Sequence, residues 1–401
     1  MLNFRRIISQ KNYIPQIDGL RFIAILSVIL FHIHGSLHHL GSVQAPTISF
    51  AVGRLAKRGV DLFFAISGFI LALPFARSFR GLGPPVKLKA YFLRRLTRLE
   101  PPYLLNLAIY SVALLAIGAM TFHQLVPHFL ASAVYQCWLI FGIGSHIFGS
   151  GGPINGVAWS LEVEVQFYLL VPLLTKIFIL NDKIRRPVLY AVTAVLAVAT
   201  ANLTTGWPFI TIVYYIPYFM AGFLACDIYL SHISRGLKNI QSKTSYWWDL
   251  ASIPAWILLW TPGEMTAHMI LPFLLVLIFQ GAFFGKIGSK VLSRRFITNT
   301  GGMCYTIYLY HNLILGITGR ATKRLHIGNS YALYYVLQAA MMLTAIYLVC
   351  TVLFMAIERP CMDKNWPRKL RDYLLRKKDG GGKSPGLDIT STSLAETLPD
   401  A

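Results

Sequence analysis

Stretches of mostly apolar residues, each about as long as the ~20 residues a helix needs to cross a bilayer core of roughly 30 Å, recur along this chain and limit its possible folds more than any other feature. They lie near residues 20–36, 60–76, 103–121, 160–180, 187–204, 209–230, 246–261, 266–285, 301–319 and 332–357. Inside lipid the backbone must satisfy its own hydrogen bonds, which leaves helices or a closed barrel. Runs of this length exclude the barrel. The expected fold class is all-α, a polytopic membrane protein with about ten transmembrane helices. Composition agrees, since 55% of the 401 residues are hydrophobic and 13% are charged. The mean hydropathy of +0.55 is too high for a soluble domain of this size.

A formal charge of +21 would point to nucleic acid in a soluble protein. Here the basic residues report topology instead, and no nucleic-acid partner is expected. With the N-terminus inside, all but six of the 37 Lys and Arg fall in inner segments. The six are Arg54, Lys57, Arg58, Arg320, Lys323 and Arg324. Both termini are therefore expected on the cytoplasmic side. Counting Leu125 to Ile143 as a further crossing would move the strongly basic segments after it to the other side, so it reads as an external helix or loop. The first apolar stretch has no small-residue cleavage site, which makes it a span and not a removed signal.

The expected organisation is a cytoplasmic N-terminus over 1–13, a membrane domain over 14–360 and a basic tail over 361–401. From Arg376 the tail lacks the apolar content to fold. Cys137, Cys226, Cys304, Cys350 and Cys361 show neither paired nor metal-ligand spacing, so they read as reduced structural thiols and no metal is expected. No internal repeat, glycine-rich phosphate loop or GxSxG elbow occurs, and no soluble catalytic domain is expected.

Ionisable residues inside spans are costly and mark function by default. In the first span Asp18, Arg21 and His32 stand out against the apolar background. The eleven steps from Arg21 to His32 return to nearly the same helix face about 16 Å further along. Asp61 in the second span and Glu164 in the fourth enter from the outside and are expected at a height similar to His32, with His311 a little deeper. His34 lies on another face and reads as a packing residue. Arg94 and Arg98 are spaced i, i+4, and Arg95 and Arg98 i, i+3, so either pair makes a cationic face. That face could hold the phosphates of a cytosolic cofactor or anionic lipid head groups.

Taken in order, these segments resemble the acyltransferase family 3 of integral-membrane enzymes. The resemblance rests on Asp18-Gly19-Leu20-Arg21, the spacing of Arg21 and His32, Gly59-Val60-Asp61-Leu62-Phe63-Phe64 with Ser67-Gly68-Phe69, and Arg95 with Arg98. Trp159-Ser160-Leu161 with Glu164 and Phe167-Tyr168, and a closing Glu358-Arg359-Pro360, complete the set. It covers most of residues 14 to 360, and its specificity lies in the order of the pieces. The resemblance implies about ten spans in a bacterial cytoplasmic membrane. It also implies an acyl-CoA donor, acetyl-CoA in the simplest case, and transfer to a hydroxyl of a surface polysaccharide, lipopolysaccharide, peptidoglycan or other glycosylated or lipid-linked acceptor. Many relatives carry a further extracytoplasmic hydrolase-like domain. This chain has only a short tail after Pro360, so it is expected to complete the transfer itself or to pass the group to a separate protein.

On that footing His32, Arg21, Asp61 and Glu164 are the expected catalytic set, and Arg94, Arg95 and Arg98 the expected donor-binding set. Trp159, Ser160, Tyr168 and His311 are the candidate acceptor-binding residues. His32 either takes the proton from the acceptor hydroxyl or carries the acyl group itself, with Asp61 or Glu164 fixing its tautomer. The alternative reading is a transporter or carrier, because buried Arg, His and Glu also line translocation paths. It predicts internal pseudo-symmetry, whereas the charged motifs cluster in spans one, two and four.

Overall fold

The computed structural model describes residues 13–39, 46–135, 154–201, 212–234, 244–260, 264–322, 325, 331–363, 365–369 and 371–372. Nearly all of these are helical, and no β-sheet forms among the described residues. The helices are α1 (Pro15–His39), α2 (Pro46–Phe79), α3 (Leu88–Ala116), α4 (Phe122–Ala133), α5 (Trp159–Leu174), α6 (Asp182–Ala201) and α7 (Ile212–Ser234). They continue with α8 (Tyr246–Trp260), α9 (Glu264–Phe284), α10 (Lys286–Leu292), α11 (Arg295–Gly302), α12 (Cys304–Thr322), α13 (Tyr331–Leu353) and, after a π-helical turn at Phe354–Glu358, α14 (Arg359–Cys361).

A helix stands at each apolar stretch, and among the described residues seven segments are long and apolar enough to cross a membrane. They are Pro15–Leu37, Arg58–Phe79, Leu88–Ala116, Gly156–Ile179, Asp182–Ala201, Ile212–His232 and Leu333–Cys361. The chain is a multi-pass membrane protein, and the expected count of about ten is not confirmed among the described residues. Helix α8 has only 15 residues, and α9 is apolar over the shorter stretch His268–Phe284. In α12 the tyrosines, His311 and Asn312 dilute the hydropathy. Large apolar side chains such as Leu169, Val195 and Val352 face outward. In water they would be a liability, and in lipid they are the solvated face.

Helices α1 and α2 run side by side at the centre of the bundle. At Gly59 a Cβ would stand 2.6 Å from the Ala24 carbonyl, so only glycine lets the two backbones approach there. On its other side α2 meets α7 in the same way, where a Cβ at Gly68 would stand 2.2 Å from the Phe219 carbonyl.

Two departures from the expected boundaries matter for the site. First, α3 begins at Leu88, well before the span expected at 103–121, so the arginine segment and that span form one helix in spite of Pro101 and Pro102. Pro101 has no N–H for the carbonyl of Thr97. The indole of Trp366 donates to that carbonyl instead, at 3.0 Å. Second, α5 starts within the protein and not at its edge. Asn155, fully buried just before it, donates from Nδ2 to the Asn106 side chain and to the Leu309 carbonyl, and its Oδ1 accepts from the Val157 N–H. Irregular backbone at depth is tolerated where protein satisfies it in this way.

Helix α4 has 12 residues and opens on a capping box between Thr121 and Gln124. At about 1.5 Å per residue it is too short to cross; of the stretch expected as an external helix or loop, Leu125 to Ile143, residues 136–143 lie outside the described residues. So do Cys137, the first twelve residues and the tail from Tyr373.

Candidate active site

The site is built around Arg21. One turn inside α1, Asp18 accepts from its guanidinium at 2.7 Å, an i, i+3 pair on the helix surface. Beside it a cavity of about 110 Å³ opens between α1, α2, α3, α5, α12 and the π turn. Of the residues singled out in the sequence, Arg21, Arg95, Arg98, Ser160, Glu164 and Tyr168 line this cavity. The Ser67 hydroxyl donates to Glu164. The Arg95 guanidinium lies over the rings of Tyr168, at 5.3 Å, and Tyr91, at 5.7 Å. Planar cations favour such aromatic faces.

Three further wall residues were not among the expected site residues. The Tyr305 hydroxyl donates to the Leu99 carbonyl at 2.9 Å, just before the two prolines of α3. Glu358 accepts from the backbone N–H of Thr306 at 3.1 Å and from its hydroxyl at 2.6 Å. It thereby satisfies an amide in the first turn of α12, as a carboxylate at a helix N-terminus does. Tyr308 donates its hydroxyl proton to the Val157 carbonyl at 2.7 Å. With that proton committed, the 2.7 Å contact with Ser160 must be a bond that Ser160 donates. The sequence signals for these residues were present: Glu358 closes a motif, and α12 carries polar groups in an apolar setting.

His32 and His311 lie outside the cavity wall and form a pair with ring centroids 5.0 Å apart. The Tyr308 ring, which lines the cavity, is 5.8 Å from that of His311. His311 is fully buried. Its Nδ1 bonds the carbonyls of Tyr308, at 2.8 Å, and Ile307, at 3.1 Å.

The expected layer of His32, Asp61 and Glu164 does not form. Because Gly59 backs onto Ala24, Ser67 lies about 12 Å further along α2 toward Arg21. Its partner Glu164 therefore belongs to the Arg21 cavity. His32 lies about 12 Å beyond Ala24 in the other direction. Asp61 is buried and pairs with Arg58 at 3.4 Å. The physical reason for the shift is the interior start of α5, which carries Glu164 deeper than a span starting at the membrane surface would. Trp159 does not line the cavity; its ring lies tilted against Tyr215, at 5.4 Å, and edge-on to Phe64, at 6.3 Å. Arg94 is exposed and turns back to the Ala90 carbonyl. His34 is buried near Tyr335, as a packing residue would be. Among the described residues no group of three or more potential metal-ligating side chains occurs.

A family model described as an acyltransferase domain matches residues 14–357. Among similar proteins, one of Staphylococcus aureus (strain COL) that carries the provisional name O-acetyltransferase is 30% identical over 180 residues, 44% of this chain and 27% of its own length. The peptidoglycan O-acetyltransferase OatA of Listeria monocytogenes is 30% identical over 179 residues, 42% of this chain and 25% of its own. The aligned part thus spans about a quarter of each of these relatives. No solved structure matches the chain.

Proposed function

The chain belongs to the acyltransferase 3 family, and from that premise we propose that it is a membrane O-acyltransferase that moves an acetyl group from cytosolic acetyl-CoA to a hydroxyl of a surface glycan. The observation that carries this reading is the placement of three arginines from two helices around one cavity, with a histidine pair beyond its Tyr308 wall. Arginines suit the phosphates of a coenzyme A thioester, and an imidazole suits proton transfer from a hydroxyl. The relatives named as O-acetyltransferases, one of them acting on peptidoglycan by name, favour acetyl and a glycan acceptor.

In this reaction His32 takes the proton of the acceptor hydroxyl as its oxygen attacks the thioester carbonyl. The C–O bond forms, the C–S bond breaks, and the proton leaves with the thiol of coenzyme A. Arg95 and Arg98 hold the donor's phosphates. Arg21 and Glu164 flank the path between them and His32. With both termini cytoplasmic in a bacterial inner membrane, the arginines face the cytosol and His32 lies in the outer half. Donor and acceptor then approach from opposite sides.

Mass spectrometry of surface glycans from cells with the gene, without it, and with His32→Ala tests the reading. The acetyl ester should be present only in the first. Retention of more than about a tenth of the esters by a normally inserted His32→Ala protein would remove the base assignment, since such steps contribute on the order of 10²-fold or more. Glycans unchanged on deletion would favour a carrier. Sidedness is read by single cysteines at Gly206 and Ser242, both outside the described residues, in a background without native cysteines. An impermeant thiol reagent added to intact spheroplasts should label the first, and label the second only after permeabilisation. Labelling of both only after permeabilisation overturns the topology.

A further inference from the structure

Beside the His32 ring stands the ring of another histidine, His311, with centroids 5.0 Å apart. Both partners of His311 Nδ1 are backbone carbonyls, which can only accept. Nδ1 therefore carries the hydrogen, and Nε2 carries the lone pair. That Nε2 is buried and has no hydrogen-bond partner among the described residues, in a residue with no exposed surface. Buried polar atoms are almost always satisfied, and an exception calls for an explanation. Of the two described rings beside His311, His32 is the closer, with centroids 5.0 Å apart and planes inclined at 55°, while Tyr308 has its proton committed to Val157. Asp61 is engaged by Arg58 and Glu164 by Ser67 in another layer.

We infer that His311 is the positioning residue of this site: its Nε2 accepts the ring N–H of His32 and so fixes which His32 nitrogen faces the acceptor hydroxyl. This rests on the acyl-transfer reading. A turn of the His32 ring closes the gap, and catalytic hydrogen bonds are often long until substrate is bound. The proton taken from the acceptor hydroxyl then sits on the outer nitrogen of His32, while the inner N–H points at His311 and spreads the new positive charge. Both protons of the imidazolium are thus accounted for. The outer one departs with the thiol and His311 ends unchanged. The device needs His311 held in one tautomer. The Nδ1 bonds do this, and Asn106 and Asn155 brace the same turn of α12 by donating to the Leu309 carbonyl.

The test uses two substitutions of the full chain in lipid nanodiscs. His311→Asn keeps a donor near the Nδ1 position and loses the Nε2 acceptor, whereas His311→Gln reaches the Nε2 position with an amide oxygen. Turnover should fall on the order of 10²-fold in His311→Asn with the donor KM changed less than about twofold, and glutamine should restore at least about tenfold of it. In a His32→Ala background His311→Asn should cost nothing further, as for residues acting as one unit. Independently of turnover, the ¹⁵N-histidine spectrum should assign one neutral tautomer to His32 in the natural protein and a mixture in His311→Asn. An unchanged His32 tautomer, or an equal loss from His311→Asn with and without His32, overturns the inference. If His311→Asn is not recovered folded, His311→Gln decides alone: a loss as deep as that of His32→Ala overturns it, and a loss within about tenfold of wild type supports it. If the natural protein transfers no acetyl group, the function reading fails, and the spectrum still reports on the histidine pair.

Discussion

Two groups of three arginines lie toward the same end of the bundle, and they differ in what answers their charge. Arg80, Arg185 and Arg186 converge on Asp227 and Asp182. Asp227 takes Arg185 at 2.6 Å, Arg186 at 2.9 Å and Arg80 at 3.8 Å, while Asp182 takes Arg80 at 3.0 Å and also Arg185. Ser231 and the Leu180 carbonyl accept further guanidinium bonds. In the other group Arg21 is paired within its own helix, Arg95 lies on aromatic rings, and all three arginines border a cavity. A closed group ties α2, α6 and α7 together. The open one borders a cavity, where the proposed function places the donor's phosphates.

The comparison predicts opposite failures. Asp227→Ala leaves three arginines around a vacated buried position, and breaking such a network costs about 3–5 kcal/mol. Against a typical stability of about 5–15 kcal/mol, the protein should accumulate poorly or lose its monodisperse peak in fluorescence-detected gel filtration. A well-behaved Asp227→Ala protein with its melting temperature unchanged would show that the closed group holds nothing together.

Arg95→Gln with Arg98→Gln should spare folding and strike the donor. Hydrogen bonds to charged groups are worth about 1.5–3 kcal/mol each, so the acetyl-CoA KM should rise on the order of 10²-fold, with the acceptor KM changed far less. An unchanged donor KM in a folded, active double variant would turn the open group into a lipid-facing charge cluster. Ser67→Ala removes the hydroxyl that donates to Glu164, and the loss of one side-chain hydrogen bond worth about 0.5–1.5 kcal/mol should lower turnover by up to about tenfold. Turnover within twofold would show that Glu164 is held well enough by its other neighbours.

The open group was readable in the sequence because its members announce themselves locally. Arg95 and Arg98 are three residues apart, and Arg21 interrupts an apolar run. The closed group was not, since Arg80, Arg185 and Asp227 become neighbours only when three helices pack, and each alone looks like a basic or acidic loop flank. The same limit hides the contacts of Tyr308 and Glu358, although the residues themselves were visible in the sequence. Their partners, Val157 and Thr306, lie 151 and 52 residues away. The helices themselves were legible, because periodic apolar content and length are local properties. Their starts were not: the carbonyl exposed by Pro101 is answered by Trp366, and the interior start of α5 depends on Asn106. Glu164 therefore stands with Ser67 at the Arg21 cavity, while the ring beside His32 is that of His311.

The smallest expected effect separates the open group from mere basicity. Arg94 belongs to the same cationic segment as Arg95 and Arg98, and sequence spacing alone gives it equal standing. In the fold it is exposed, bonds back to Ala90 of its own helix and contributes nothing to the cavity wall. An exposed charge contributes about 0–1 kcal/mol to a pairing and is screened by salt. Arg94→Gln should therefore leave the acetyl-CoA KM within about twofold of wild type at physiological ionic strength, and any effect should vanish as salt is raised. Arg95→Gln measured alongside should raise the donor KM at least tenfold at every salt concentration, because its guanidinium is held against Tyr91 and Tyr168 at the cavity wall. Equal effects of the two substitutions, with equal salt dependence, would mean that the segment attracts the donor by net charge alone.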